Sequence, residues 1–281
     1  MAGKNFNIKA ALPILRLALA EDLGPGDVTS EALPRKKRAS AVIRAKAPGI
    51  ICGLPLLPVI LRELGGPTTV RLMARDGNRV RAGQKLALLT GRAHVLLSAE
   101  RTMLNFLGLL SGIATLTRQY ADAVRGTDAR IYDTRKTPPG LRYLAKYAVR
   151  MGGGQNHRMG LYDMALIKDN HIAELGITEA VKRVHQRRPG LIVEVEAEKL
   201  SQVLEALESN ADIIMLDNMS CAEMKKAVTV IRKRSKKVRV EASGGVDLRS
   251  VRAIARTGVD RISVGAITHS VKNLDVSMEM K

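Results

Sequence analysis

From residue 129 onward the sequence repeats one unit: a short run of aliphatic and β-branched residues, then a stretch long enough to hold a helix. The runs 129–132, 164–167, 191–195, 212–216, 238–241 and 261–264 are too short for helices, and their separation is that of parallel strands joined by helical crossovers. Polar residues or glycines follow the last four: Glu196, Asp217-Asn218, Ser243-Gly244-Gly245 and Gly265. Parallel strands place all these ends on one edge, so one site collects them. The expected fold is α/β, a TIM-like barrel, complete or incomplete, over residues 110–268.

The first 109 residues read as a smaller α+β domain, with 269–281 expected to return to it. Ile8, Leu12, Leu15 and Leu19 form a helical stripe. Alternating segments at 70–73 and 85–89, punctuated by Asp76-Gly77 and Ala82-Gly83, read as antiparallel hairpins. Ser98 is the expected cap of a long helix that runs to about residue 125, with Met103, Phe106, Leu110 and Ile113 or Ala114 on its buried face and Gly126 at its end. On that reading Arg101 occupies the first turn, where the helix dipole disfavours a cation.

The formal net charge is +19, and Lys and Arg cluster at 35–38 and 232–237. Such runs attract polyanions, yet neither is accompanied by the aromatic platforms on which single-stranded bases stack. They read as solvated surface, with no specific nucleic-acid partner expected. The two cysteines, Cys52 and Cys221, lack metal-ligand spacing and fit buried thiols in a reducing compartment. Residues 47–61 are apolar but contain three prolines and are too short to span a bilayer. A cytoplasmic protein without membrane contact is expected.

The strongest chemical signal is a cluster of cations on turns: Arg135 and Lys136 in Asp133-Thr134-Arg135-Lys136-Thr137, His157 and Arg158 after Gly152-Gly153-Gly154, and Lys168 after 164–167. Cations on a helix surface are screened by water, whereas cations at strand ends are aimed into one cavity. The ligand is therefore small and multiply anionic. Ser243-Gly244-Gly245 and Val264-Gly265-Ala266 stand one βα unit apart, as in the barrel phosphate site after the last two strands. In Val193-Glu194-Val195-Glu196, the period of two turns both carboxylates toward the interior. Glu194 is expected to form an internal salt bridge to a lysine or arginine of a neighbouring strand, while Glu196 and Asp217 face the ligand. A Schiff-base role for Lys168 is a rival reading.

These motifs, with Glu100-Arg101-Thr102, Leu110 to Thr115, Glu21 to Thr29 and Ile214 to Asn218, resemble quinolinate phosphoribosyltransferase over nearly the whole chain. The departures are small: Pro138 follows Thr137 where a second threonine is common, and Met151 and Gln155 flank the glycines. The resemblance implies transfer of phosphoribose from phosphoribosyl pyrophosphate to quinolinate, giving nicotinate mononucleotide, CO₂ and pyrophosphate on the route to NAD, with Mg²⁺ as cofactor. It places Arg101, Thr134, Arg135, His157, Arg158 and Lys168 around quinolinate. Lys136 meets the phosphates, Glu196 and Asp217 sit by the ribose and the Mg²⁺-pyrophosphate, and Ser243, Gly244, Gly245, Val264, Gly265 and Ala266 hold the 5′-phosphate. Lys136, Lys168, Glu196 and Asp217 carry the catalytic roles. It also implies a homo-oligomer, a dimer or a hexamer, with Arg101 entering a neighbouring subunit's site. The alternative is a same-fold paralogue that uses another acceptor base.

Overall fold

Arg38–Ala45 (β1), Thr69–Leu72 (β3), Lys85–Arg92 (β5) and Val276–Met280 (β12) form an antiparallel sheet in the order β12-β1-β5-β3 in the computed structural model, which describes residues 6–281. β1 is central because Ala41, Val42, Ile43 and Ala45 are fully buried, while both its edges are hydrogen-bonded, to β5 and to the C-terminal β12. Gly77 and Gly83, both at positive φ, make the turns between the strands. Gly49–Ile50 (β2) pairs with Arg79–Val80 (β4) beside this sheet. Ile8–Leu23 (α1) is capped by the Asn7 side chain, which accepts the Ala10 N–H at 3.3 Å, and Leu57–Glu63 (α2) is apolar and largely buried.

Ala93–Ala123 (α3) follows β5 without a loop. The helix thus starts more than a turn before Ser98, whose hydroxyl instead donates to Asp27 at 2.7 Å. Arg101 lies in the third turn, so the expected conflict with the helix dipole does not exist. The buried face is the expected one, with Met103, Phe106, Leu110, Ile113 and Ala114 at 7% exposure or less.

The chain divides into two units, and the division falls within α3. The first contains the chain up to Arg118, Thr137–Gly153 and Ser270–Lys281. Arg142–Gly152 (α4) belongs to it. The Tyr147 hydroxyl donates to Asp76 at 2.8 Å, and the same carboxylate accepts the N–H groups of Gly53 at 2.9 Å and Leu54 at 3.0 Å. The stretch Leu144 to Val149 of α4 is buried on every side.

The second unit, Gln119–Lys136 with Gly154–His269, is an α/β barrel. Its strands are Arg130–Tyr132 (β6), Ala165–Ile167 (β7), Val193–Ala197 (β8), Ile213–Asp217 (β9), Arg239–Ser243 (β10) and Arg261–Ser263 (β11). They form one parallel sheet in the order β6-β11-β10-β9-β8-β7. Among the described residues no ladder joins β6 to β7, and the ring is incomplete there; Gln155 makes a single parallel bridge to Tyr132 on that edge. Asp169–Leu175 (α5), Ile177–Arg187 (α6), Leu200–Glu208 (α7), Cys221–Arg234 (α8), Val251–Ala255 (α9) and Ala266–His269 (α10) alternate with the strands. Ser220 and Glu223 close a reciprocal capping box on α8. No helix of the described residues is long and apolar enough to cross a membrane.

Gly112 of α3 packs against the returning C-terminal segment: a Cβ there would overlap the Lys272 carbonyl oxygen and lie 3.2 Å from Asn273 Cα. Gly112→Ala is expected to lower stability by about 1–3 kcal/mol, read as a fall in the midpoint of chemical denaturation.

Candidate active site

The carboxyl ends of the parallel strands open onto a cavity of about 610 Å³. Thr134, Arg135, Lys136, His157, Arg158, Lys168, Glu196, Asp217, Ser243, Gly244 and Gly245, all selected from the sequence, line it together with Leu166, Met215, Asn218 and Ser263. Arg101, Val264, Gly265 and Ala266 are not among the lining residues. A larger cavity, about 720 Å³, lies at the opposite ends of the strands, beside Asp212, Arg234 and Arg239. There Arg234 pairs with Glu208 and Arg239 with Asp260, and no glycine turn accompanies them.

Two loops bring the cations of the site together, and Asp133 joins the loops. Its carboxylate is fully buried, accepts the His157 N–H at 2.9 Å and also accepts from the Asn156 side chain. Thr134 Oγ1 accepts the Lys136 N–H at 3.0 Å, while Thr268 Oγ1 donates to the Lys136 carbonyl at 2.7 Å. The Lys136 backbone is thus fixed from both sides. Arg158 is 9% exposed, and its guanidinium donates to the Met164 carbonyl at 3.1 Å. Burial, and next the charge of Arg135, push its pKa down. Two guanidinium groups therefore share a poorly hydrated wall, which favours any anion able to separate them.

Lys168 stands just before α5, and its Nζ lies 2.9 Å from Glu196 Oε2. An ion-paired ammonium is the opposite of the apolar seat that a Schiff-base lysine requires. Asp217 ends β9 and accepts a hydrogen bond from Asn218 Nδ2 at 2.6 Å. Asn218 is one of two non-glycine residues at positive φ among the described residues, and its N–H donates to the Ser243 carbonyl at 3.0 Å. Its side-chain oxygen occupies the space a Cβ on Gly244 would need. Gly244 (φ +92°) is packed by Asn218, while nothing lies within 4 Å of where a Cβ of Gly245 (φ +58°) would stand, so the main chain there is open, the arrangement that suits a phosphate. Gly265 serves by its size: a Cβ would meet His269 Nε2 at 3.0 Å and Lys136 Cδ at 3.3 Å.

Beneath the cavity lies a buried network. Glu194 and Glu241 are fully buried. Glu194 does not pair with a strand-borne lysine or arginine as expected; its Oε2 lies 2.9 Å from Nε2 of His157, a loop residue. The strand-borne cation, Arg261, instead pairs with Glu241 at 2.7 Å and stacks on the Tyr132 ring at 4.0 Å. Burial and the charge of Glu241 push Glu194 up. Burial also raises Glu241, but the His157 hydrogen bond and the Arg261 charge outweigh it and hold that group below its usual value. His157, Glu194 and Glu241 are donor types for a divalent cation, but Arg261 already supplies positive charge there.

Sequence reasoning gave no role to Asn218 or Thr268. An asparagine placed directly after a strand-end aspartate is a signal for left-handed backbone; for Thr268 no local signal exists.

Residues 27–111 match a family model described as the N-terminal domain of quinolinate phosphoribosyl transferase, and residues 113–279 match that of its C-terminal domain. The chain belongs to the quinolinate phosphoribosyltransferase family. A nicotinate-nucleotide pyrophosphorylase [carboxylating] of Mycobacterium leprae is 44% identical over 276 residues, covering 96% of this chain and 97% of that protein. The nicotinate-nucleotide pyrophosphorylase structure from Francisella tularensis superposes with a TM-score of 0.93 at 38% identity, covering 99% and 98% of the two chains. NadC from Streptococcus pyogenes gives 0.94 at 36%, covering 99% of this chain and 98% of its own. For a quinolinate phosphoribosyltransferase chain, the glycine turn has a measurable consequence. Gly244→Ala is expected to weaken binding of ribose 5-phosphate at least about tenfold, read by calorimetric titration, because the new methyl group displaces Asn218 across the turn.

Proposed function

We propose that the chain transfers phosphoribose from phosphoribosyl pyrophosphate to the ring nitrogen of quinolinate, releasing pyrophosphate and CO₂ and forming nicotinate mononucleotide. The convergence of Arg135, Lys136, Arg158 and Lys168 with the Ser243–Gly245 turn in one cavity carries this reading. One substrate has two carboxylates, the other a phosphate and a pyrophosphate. A wall of guanidinium groups suits the planar carboxylates, because Arg donates in a fork.

The glycine turn holds the 5′-phosphate, and Lys136 meets the anionic oxygens of the sugar donor. Glu196 and Asp217 lie along the ribose, where their charge favours the positive character that develops as pyrophosphate departs. The pyridine nitrogen attacks that carbon. The pyridinium product then loses the adjacent carboxylate as CO₂, its ring holding the electron pair until the carbon takes up a proton. Positioning and electrostatics suffice for each step, and no side-chain nucleophile enters. The half-buried carboxyl groups of Glu196 and Asp217 suit the water shell of Mg²⁺. Held there through its waters, Mg²⁺ would supply positive charge toward the departing pyrophosphate.

Arg101 is exposed on α3, which supports a homo-oligomer, a dimer or a hexamer of dimers, in which it enters a neighbouring subunit's site. The free cysteines Cys52 and Cys221 suit a cytoplasmic location.

Purified protein given phosphoribosyl pyrophosphate, Mg²⁺ and quinolinate should release CO₂ and mononucleotide in equal amounts, with nicotinate inert. Asp217→Asn should lower kcat by about 100-fold or more. Mononucleotide from nicotinate but not from quinolinate would overturn the assignment. Mixing Arg101→Ala and Lys168→Ala subunits should restore part of the activity that each variant lacks alone; no recovery after exchange would place Arg101 outside a shared site.

A further inference from the structure

The His157 ring is hydrogen-bonded at Nδ1 and has carboxyl groups close to Nε2. Nδ1 accepts the main-chain N–H of Arg158 at 2.8 Å, and Nε2 lies 2.9 Å from Glu194 Oε2 and 3.5 Å from Glu241 Oε1. A ring nitrogen that accepts a hydrogen bond carries no proton, so the one proton of a neutral imidazole sits on Nε2 and faces the carboxyl groups. With Nδ1 bonded to the main chain, Nε2 beside two carboxyl groups and the side chain 5% exposed, the ring has little room to meet a ligand through a nitrogen.

We propose that His157 is a neutral positioning residue, fixed as its Nε2–H tautomer by Glu194, and that it sets the main chain of Arg158 instead of meeting a substrate carboxylate with its own charge. The functional half of this inference rests on the proposed reaction; the tautomer does not.

The competing state is the imidazolium. Burial lowers the His157 pKa, whereas hydrogen bonding and charge from Glu194 and Glu241 pull it toward about 9, which would favour the imidazolium at neutral pH; the geometry at Nδ1 opposes that state. That second proton belongs on Nδ1, where it would point at the Arg158 N–H and break the hydrogen bond. The loop has little freedom to turn aside. The His157 N–H is bound to Asp133 at 2.9 Å, and the Arg158 guanidinium is bound to Met164 at 3.1 Å. Ser263 donates to Glu241 and Arg261 pairs with it, so Glu241 has partners of its own. Glu194, pushed up by burial and by the charge of Glu241, fits a neutral neighbour. A Glu241–Arg261 pair beside two neutral groups leaves the barrel interior without net charge, the least costly arrangement in a dry core.

The test is nitrogen NMR on the full chain labelled with ¹⁵N-histidine, with His157 assigned by its loss in His157→Gln. One protonated and one unprotonated nitrogen, unchanged between about pH 6 and 8, is the expected result; two protonated nitrogens at pH 7 would overturn the proposal. Kinetics supply the functional arm. Glu194→Leu removes the acceptor and should raise the KM for quinolinate on the order of tenfold, with the KM for phosphoribosyl pyrophosphate changed less than about threefold. Glu194→Gln, which keeps a carbonyl oxygen for the Nε2–H, should recover most of the loss. A folded Glu194→Leu protein with unaltered quinolinate KM, or a Glu194→Gln as impaired as Glu194→Leu, would remove the positioning role. If quinolinate were not a substrate at all, the kinetic arm would fall with the proposed function while the NMR result still decided the tautomer.

Discussion

A carboxylate inside a barrel must find a partner or give up its charge, and two of them, Glu194 and Glu241, occupy the interior of this one. Their demands shape what stands above them. Glu241 takes Arg261 from the adjacent strand, which leaves Glu194 to the loop between β6 and β7, where His157 answers it. That loop is then held at its base by Asp133, and Arg158 follows in the next position. A cavity-lining guanidinium is thereby located by hydrogen bonds made in the dry interior. Such support suits a group whose own charge is unmatched, since flexible cations relax away from one another and rigid ones do not.

The glycine turn follows a similar logic with different chemistry. Strand direction alone brings Asp217 and Ser243 together, because β9 and β10 are in register at those two residues. Asn218 then leaves the extended region, returns its N–H to the Ser243 carbonyl and lays its side chain against Gly244. The carboxylate of Asp217 is oriented by the same residue. One asparagine therefore couples the Asp217 carboxylate to the backbone of the glycine turn, and a change at any of these positions is felt by the others.

Much of this was legible before any coordinates. The short apolar runs, their spacing and the polar residues that end them define parallel strands with one functional edge, and that edge holds most of the residues selected from the sequence. The start of α3 was not legible, because β5 runs directly into it and Ala93 offers no capping side chain; Ser98 resembles a cap but serves Asp27. Nor was the partner of Glu194, since a period of two shows that a carboxylate points inward but not which loop returns to meet it.

On the proposed reading, selectivity follows from the cost of the empty site. Burial, and next the charge of Arg135, lower the proton affinity of Arg158, so the unliganded protein carries repulsion of the order of a kcal/mol at this pair. A ligand with two adjacent carboxylates relieves it; a ligand with one leaves a guanidinium desolvated and unmatched, which costs affinity beyond the loss of a single contact. The same field acts after the glycosidic bond has formed. Cations that bind the substrate carboxylate also resist its departure as neutral CO₂, so the group that is lost must be held less tightly than the one that stays. A neutral His157 serves that requirement: it keeps Arg158 in place without adding a further positive charge to the wall.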